Sequence, residues 1–117
     1  MGKLNVRATD APQGTVVKIG GEISVEEADQ LERELQALAT SKGGAAYVLD
    51  LSDLSFAASL AIGCLLRFRS TVIASGGRVA LADIQPMVND SLRRAHLHRV
   101  FSIYPTVSEA LTDMAVT

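Results

Sequence analysis

The run AAYVLDL at residues 45–51 constrains the fold more than any other segment, because six of its seven residues are apolar. A strand with one face in water alternates apolar and polar residues, whereas a strand covered on both faces is apolar almost throughout. The run therefore predicts a central strand of a parallel sheet. The chain has 117 residues, which is enough for one such domain and too few for two ordinary ones.

The segments before this run predict two further elements. The β-branched sequence TVVKI at 15–19 is typical of a strand, and it can pair with residues 4–8 through an intervening turn. Ser24 is followed three residues later by Glu27, which is the capping-box pattern of a helix start. Apolar residues then recur at spacings of three and four, so we expect a helix to about Thr40.

From residue 15 onward, predicted strands and helices alternate to the end of the chain. After the central strand we predict a loop over 52–58, a helix over 59–74, a strand over 78–82, a helix from Pro86 to about Ala95, a strand over 101–104, and a helix starting near 106–108. This order implies right-handed crossovers and a single α/β domain. We expect a mostly parallel sheet of four to five strands with about four helices.

Composition excludes several classes of protein. The net charge of −2 and the pI of about 5.6 argue against direct binding to nucleic acid. Only 4% of the residues are aromatic, so we expect an aliphatic core. The longest uncharged apolar run, residues 56–66, is too short to cross a bilayer, and residues 1–7 carry no secretory pattern. We therefore expect a cytoplasmic protein without membrane insertion.

Motifs for catalysis or metal binding are also missing. The glycine pairs at 20–21, 43–44 and 76–77 match no phosphate-binding loop and predict turns at element boundaries. Cys64 is the single cysteine, and it is expected to pack inside the second helix. His96 and His98 have no third ligand nearby in the sequence. We expect no enzyme activity, no metal and no cofactor.

Ser59 is the most informative polar residue, because it stands where a strand and a short loop lead into an apolar helix. Its hydroxyl can act as an N-cap, accepting a hydrogen bond from a free backbone N–H. The same position also suits a phosphoserine, since a helix N-terminus favours negative charge. Local sequence leaves both interpretations open.

The segment YVLDLSDLSFAASLAIG at 47–63 resembles the signature of STAS domains, a family that includes the anti-sigma factor antagonists of bacteria. That signature reads roughly as an apolar strand, Asp-Leu-Ser, a short loop with Phe, and Asp-Ser-Ser-Gly-Leu-Gly. Further similar segments are GEIS at 21–24, GGRVAL at 76–81, LHRVFSIYP at 97–105 and EAL at 109–111. The likeness covers residues 4–115 as one STAS domain.

The resemblance implies a regulatory module that binds proteins. In such domains a Ser or Thr at the start of the second helix is phosphorylated by an anti-sigma kinase, and phosphorylation breaks the complex with that kinase. Ser59 occupies this phosphoacceptor position. The implied partner is an anti-sigma factor with serine kinase activity. The residues expected to contact it are Ser24, Ser55, Phe56, Ala58, Leu60, Gly63 and Arg67.

The sequence departs from the signature around Ser59. Ala58 stands where the family has Asp, Leu60 replaces Ser, Ala61 replaces Gly, and Ser24 replaces the usual Asp of the first helix. The helix entrance is therefore more apolar, which favours contact with a protein. Other interpretations stay open: an accessory subunit of an ABC-type lipid transporter, a module that binds its partner without phosphorylation, and a sensor of a small ligand. The oligomeric state is not predicted.

Overall fold

The computed structural model describes residues 4–41 and 45–116. The strands are β1 (Asn5–Ala11), β2 (Gly14–Ile23), β3 (Ala46–Asp50), β4 (Leu54–Ala57), β5 (Arg78–Ala82) and β6 (Ser102–Tyr104). The helices are α1 (Val25–Ser41), α2 (Ser59–Ala74), α3 (Pro86–Arg94) and α4 (Val107–Val116), with a short 3-10 helix at Leu97–Arg99. The predicted α/β class and the predicted bounds of α2 are confirmed.

The sheet has the strand order β1-β2-β3-β5-β6, and β4 pairs with the far end of β2. β1 is antiparallel to β2, and the other strand pairs are parallel. The predicted pairing of residues 4–8 with 15–19 is confirmed by the register, in which Val6 lies opposite Ile19. The central position of β3, between β2 and β5, explains why its sequence is apolar on both faces.

Helices cover both faces of this sheet. On one face, α1, α2 and α3 pack on alternate strand residues that include Tyr47, Leu49 and Leu81. On the other face, Ala110 and Met114 of α4 pack on residues that include Val48 and Ala80. The side chains of consecutive residues in β3 therefore enter two different clusters, as the period of two in a strand requires.

The core is aliphatic around one aromatic pair. Tyr47 and Phe68 are the largest fully buried side chains, and their ring centroids lie 5.1 Å apart in an edge-to-face arrangement. The Tyr47 hydroxyl donates to the carbonyl oxygen of Leu38 at 2.8 Å, which satisfies its polar end. A low aromatic content thus does not prevent the two rings from forming the centre of the main core.

The prediction of a loop over 52–58 is wrong, because Leu54–Ala57 forms strand β4. Leu54 and Ala57 are buried, and β4 pairs in parallel with residues 21–23 of β2. The turn predicted at Gly20-Gly21 is also absent, since both glycines lie inside β2. A bulge follows Gly21, whose φ of 107° favours glycine. β2 therefore continues to Ile23, which makes it long enough to pair with β4.

The other two glycine pairs have different outcomes. Gly76-Gly77 ends α2 as predicted, and Gly76 has a φ of 89°. A Cβ on Gly77 would lie 2.2 Å from the carbonyl oxygen of Ala45, so this position requires glycine. The predicted turn at Gly43-Gly44 lies outside the described residues.

Candidate functional site

Strand β4 brings the starts of helices α1 and α2 side by side. Ile23 of β2 lies opposite Ala57 of β4, and each strand leads directly into its helix. The backbone N–H of Ala58 donates to the carbonyl oxygen of Ile23 at 2.9 Å. Two helix N-termini, each with unpaired backbone N–H groups, therefore meet at one surface.

Ser59 is the first residue of α2, and its side chain is exposed. The N-cap position belongs to Ala58, which has extended backbone angles (φ −67°, ψ 164°), and no side-chain hydrogen bond caps the helix. Of the two interpretations that the sequence left open for Ser59, the N-cap is therefore wrong by one residue. Its hydroxyl bonds to no residue in 4–41 or 45–116, and the first turn of α2 contains no acid.

The start of α1 is organised differently. The Glu27 carboxylate accepts a hydrogen bond from the backbone N–H of Ser24 at 2.9 Å, as the capping-box pattern predicts. The single hydrogen of the Ser24 hydroxyl is shared between the carboxylates of Glu26, at 2.8 Å, and Glu27. The hydrogen bonds from the Ser24 hydroxyl and backbone N–H lower the pKa of Glu27, and the bond from the hydroxyl has the larger effect. Thus α1 begins with negative charge, whereas α2 begins with none.

Three large apolar side chains are exposed around the two helix starts. Val25 opens α1 and is 61% exposed, Phe56 of β4 is 42% exposed, and Leu60, next to Ser59, is 53% exposed. We call these three residues the apolar rim. Phe56 and Leu60 are among the predicted partner contacts. Val25 was not predicted, because only the pairing of β2 with β4 brings the start of α1 next to the start of α2. Exposed apolar side chains that gather at one place are typical of interaction surfaces.

A groove of about 360 Å³ runs beside Ser59. One wall is formed by Ala57, Ser59 and Ile62, and the other by Ser91, Arg94 and Ala95. Arg94 is exposed, and its guanidinium donates to the Ser91 hydroxyl at 3.3 Å. Sequence reasoning missed Arg94, because nothing in the local sequence shows that the end of α3 faces the start of α2.

Arg67 and Gly63 lie further along α2, at its contact with α1. The Arg67 Nε atom lies 3.0 Å from Glu32 Oε1 of α1, and its side chain is 56% exposed. A Cβ on Gly63 would lie 3.3 Å from the Arg67 guanidinium. The charge of Arg67 is thus already paired within the domain, although its exposed part can still reach a partner.

Two further polar groups have structural roles. The Ser55 hydroxyl donates to the carbonyl oxygen of Gly21 at 3.4 Å and so supports the β2–β4 pairing. Cys64 is buried as predicted, and burial raises the pKa of its thiol. A thiol that stays protonated is a poor nucleophile.

In the described ranges, 4–41 and 45–116, no group of three His, Cys, Asp or Glu side chains is placed to hold a metal ion. None of the helices there is long and apolar enough to cross a membrane. The site therefore consists of an exposed serine, an uncapped helix start, the apolar rim and one arginine across a groove.

Comparisons with known proteins agree on one family. A family model described as the STAS domain matches residues 3–110. An anti-sigma F factor antagonist of Paenibacillus polymyxa is 26% identical over 101 residues, which is 86% of each chain. The structure of an anti-sigma factor antagonist STAS protein from Planctomyces limnophilus is similar with a TM-score of 0.86 and 25% identity, over 94% of this chain and 97% of that one. The structure of an anti-sigma factor antagonist from Mycobacterium paratuberculosis gives a TM-score of 0.85 and 25% identity, over 96% and 94%.

Proposed function

The chain belongs to the STAS domain family, and we propose that it is a regulatory binding protein of the anti-sigma factor antagonist type whose switch is phosphorylation of Ser59. In this proposal residues 4–115 form one STAS domain, and the partner is an anti-sigma factor with serine kinase activity. The observation that carries the proposal is the exposed Ser59 hydroxyl at the uncapped start of α2. The names of the relatives support the class of partner.

The apolar rim supports the binding half of the proposal. Val25, Phe56 and Leu60 lie at the two helix starts, with Leu60 next to Ser59 in the chain, and present apolar area that a partner can cover. Apolar surface that leaves water on binding contributes about 25 cal/mol per Å². A partner seated on the rim would cover Ser59 as well, so the state of that serine would control the contact.

The charge distribution supports the switching half. A phosphate on Ser59 would add nearly two negative charges and three acceptor oxygens. Free N–H groups of the first turn of α2 can donate hydrogen bonds to this anion, and Arg94 lies across the same groove. A partner covering the rim would have to desolvate that charge, which opposes binding. The phosphate is therefore tolerated by the free protein and unfavourable in the complex.

This function requires no chemistry from the chain itself. The kinase would supply the active site, and Ser59 would supply only the accepting hydroxyl. Ser24, Ser55, Phe56, Ala58, Leu60, Gly63 and Arg67 remain the proposed contact residues, with Val25 and Arg94 added. An anti-sigma factor acts on transcription, so the proposal implies a cytoplasmic location.

The test uses the protein with a purified anti-sigma kinase from the same genome and ATP. We expect mass spectrometry to find one phosphate on Ser59, and calorimetry to show loss of kinase binding after phosphorylation. Ser59→Ala should bind the kinase and remain unmodified. Ser70→Ala, which changes an exposed serine of the same helix, should be phosphorylated normally. A complex that forms equally well with and without the phosphate would overturn the switch.

A module that binds without phosphorylation is the second candidate, and Ala58 favours it. The family signature has an acid at this position that a kinase site or a metal could use, and Ala58 offers none. If no kinase modifies Ser59 and the protein co-purifies with a transporter ATPase, the accessory-subunit interpretation is correct. Co-purification with an anti-sigma factor, without phosphate on Ser59, would instead support partner binding and contradict the phosphorylation switch.

A further inference from the structure

A second cavity, of about 650 Å³, lies at the carboxyl ends of strands β3, β5 and β6. Its walls come from Ser52 after β3, from residues 83–85 after β5, and from residues 103–105 at the end of β6. After β5 the chain enters α3 on one face of the sheet, and after the neighbouring β6 it enters α4 on the other face. Neighbouring segments that diverge in this way leave a crevice, which is where open α/β sheets bind ligands.

The segments around the cavity are held together by hydrogen bonds. The Gln85 side-chain amide donates to the carbonyl oxygen of Ser52 at 2.6 Å, which links the segments after β3 and β5. The Asp83 carboxylate accepts from the backbone N–H of Val107 at 3.1 Å, which links the segment after β5 to the start of α4. Asp83 adopts a φ of 57°, a conformation that non-glycine residues rarely take. The cavity is therefore formed before any ligand binds.

The polar groups of the cavity favour an anion. Arg93 of α3 lines it, and the Arg93 guanidinium has no hydrogen-bond or ion-pair partner among the described residues. Asn89, one helical turn earlier, lines the same wall and adds amide donors. The one carboxylate in the lining, Asp83, accepts a hydrogen bond from the backbone N–H of Val107. The Arg93 guanidinium and the Asn89 amide therefore supply the donors that an anion could use.

The remaining lining limits the ligand to a small anion with an apolar part. Ile84, Ile103 and Pro105 provide apolar walls. Burial and the nearby charges of Arg93, Arg99 and His96 lower the pKa of His98, so Arg93 is the permanent cation of the cavity. One guanidinium matches one carboxylate in bidentate geometry, whereas a triphosphate would need several cations or a metal.

We propose that this cavity binds a small aliphatic carboxylate, with Arg93 as its counter-ion and Asn89 as a second donor. The site is separate from Ser59, because Asn89 and Arg93 line one side of α3 whereas Ser91 and Arg94 line the groove on the other. The inference therefore does not depend on the proposed switch, and either can fail without the other.

The test is a titration of the isotope-labelled protein, followed by NMR, with butyrate, succinate and inorganic phosphate. Butyrate should shift the backbone amides of Asn89, Arg93 and Ile103 saturably at millimolar concentrations. Arg93→Gln should weaken binding at least about tenfold, because the charge-assisted hydrogen bonds of the guanidinium are lost. Arg94→Gln removes the same charge from the adjacent residue and should leave butyrate affinity unchanged.

Three outcomes would overturn the proposal. The first is the absence of saturable shifts with any of the three anions at millimolar concentration. The second is binding of phosphate without binding of either carboxylate, since the site would then recognise a phosphate group. The third is equal weakening by Arg93→Gln and Arg94→Gln, which would indicate general attraction to positive charge. A thermal melt of each variant verifies that it is folded, so that a loss of binding can be attributed to the site.

Discussion

The backbone N–H of Ala58 donates to the carbonyl oxygen of Ile23 at 2.9 Å, and this bond joins the entrances of the first two helices. It leaves Ala58 in the N-cap position and moves Ser59 into the first turn of α2. The serine is thereby free of any capping role. A hydroxyl that the fold does not need can be replaced or modified at little cost in stability.

Ser59→Ala should change the free energy of unfolding by less than about 0.5 kcal/mol, because no hydrogen bond of the helix start is lost. Ser24→Ala is the matched variant at the other helix start, where the hydroxyl bonds to Glu26 and Glu27. It should cost about 1 kcal/mol. Urea denaturation measures both. Equal losses in the two variants would mean that Ser59 caps α2 after all.

Ser59→Asp should raise stability slightly and lower the affinity for the partner. A carboxylate in the first turn of α2 interacts favourably with the helix dipole, by about 0.5 kcal/mol, and this turn has no acid of its own. The same charge must be desolvated when a partner covers the apolar rim, so affinity should fall at least about tenfold. Thermal melting and calorimetry separate the two effects. Unchanged affinity would place the interface elsewhere.

Leu60→Ala should weaken partner binding by more than about 1 kcal/mol, because it removes apolar carbons that the partner would cover and each buried CH2 contributes about 0.8 kcal/mol. The side chain is 53% exposed, so the fold should lose little stability. Ile73→Ala is the control, because Ile73 is 44% exposed near the other end of the same helix. Calorimetry with the partner should detect a loss for Leu60 alone. A similar loss for Ile73→Ala would indicate a different or broader contact face.

Acid should destabilise the start of α1 through Glu27. Hydrogen bonds from Ser24 lower the pKa of Glu27 below its usual value of 4.5. The stabilisation from this carboxylate is therefore complete above pH 4.5, and it is lost as pH falls through the lowered pKa of the folded state. Glu27→Gln should flatten the pH dependence of the melting temperature in this range. An unchanged pH dependence in Glu27→Gln would show that this carboxylate does not stabilise the start of α1.

Gly77→Ala should destabilise the domain severely, because its Cβ would lie 2.2 Å from a backbone oxygen that cannot move without disturbing β3. Gly63→Ala is the contrasting variant. Its Cβ would meet only the flexible end of Arg67, at 3.3 Å, and alanine is a better helix former by about 0.5–1 kcal/mol. Circular dichroism melts should therefore show a large loss for Gly77→Ala and little change or a gain for Gly63→Ala.

The predictable parts of the fold were those with a strong local signal. The apolar run of β3 predicted the α/β class, because burial on two faces is visible in the sequence. The wide apolar stripe of α2 likewise predicted the bounds of that helix. Strand β4 was missed since its four residues become a strand only through pairing with the end of β2. Gly20 and Gly21 were misinterpreted for the same reason, because a bulge accommodates them inside that longer strand.

The candidate site was predictable only in part. Ser59 was placed correctly at the start of α2. Whether its hydroxyl is bonded depends on whether Ser59 or Ala58 is the N-cap residue, and the backbone angles of Ala58 decide this. Arg94 and the cavity around Arg93 depend on how α3 packs against distant segments. Contacts of this kind have no local sequence pattern.

Helix α3 is a wall shared by two spaces, the groove beside Ser59 and the cavity at the strand ends. It has nine residues, and only Val88 and Leu92 anchor it in the core. A displacement of so short a helix would alter both spaces at once. If a carboxylate in the cavity changes affinity at Ser59, thermodynamic linkage requires the partner to change carboxylate affinity by the same factor. The fraction of the protein bound to its partner would then depend on the concentration of the carboxylate.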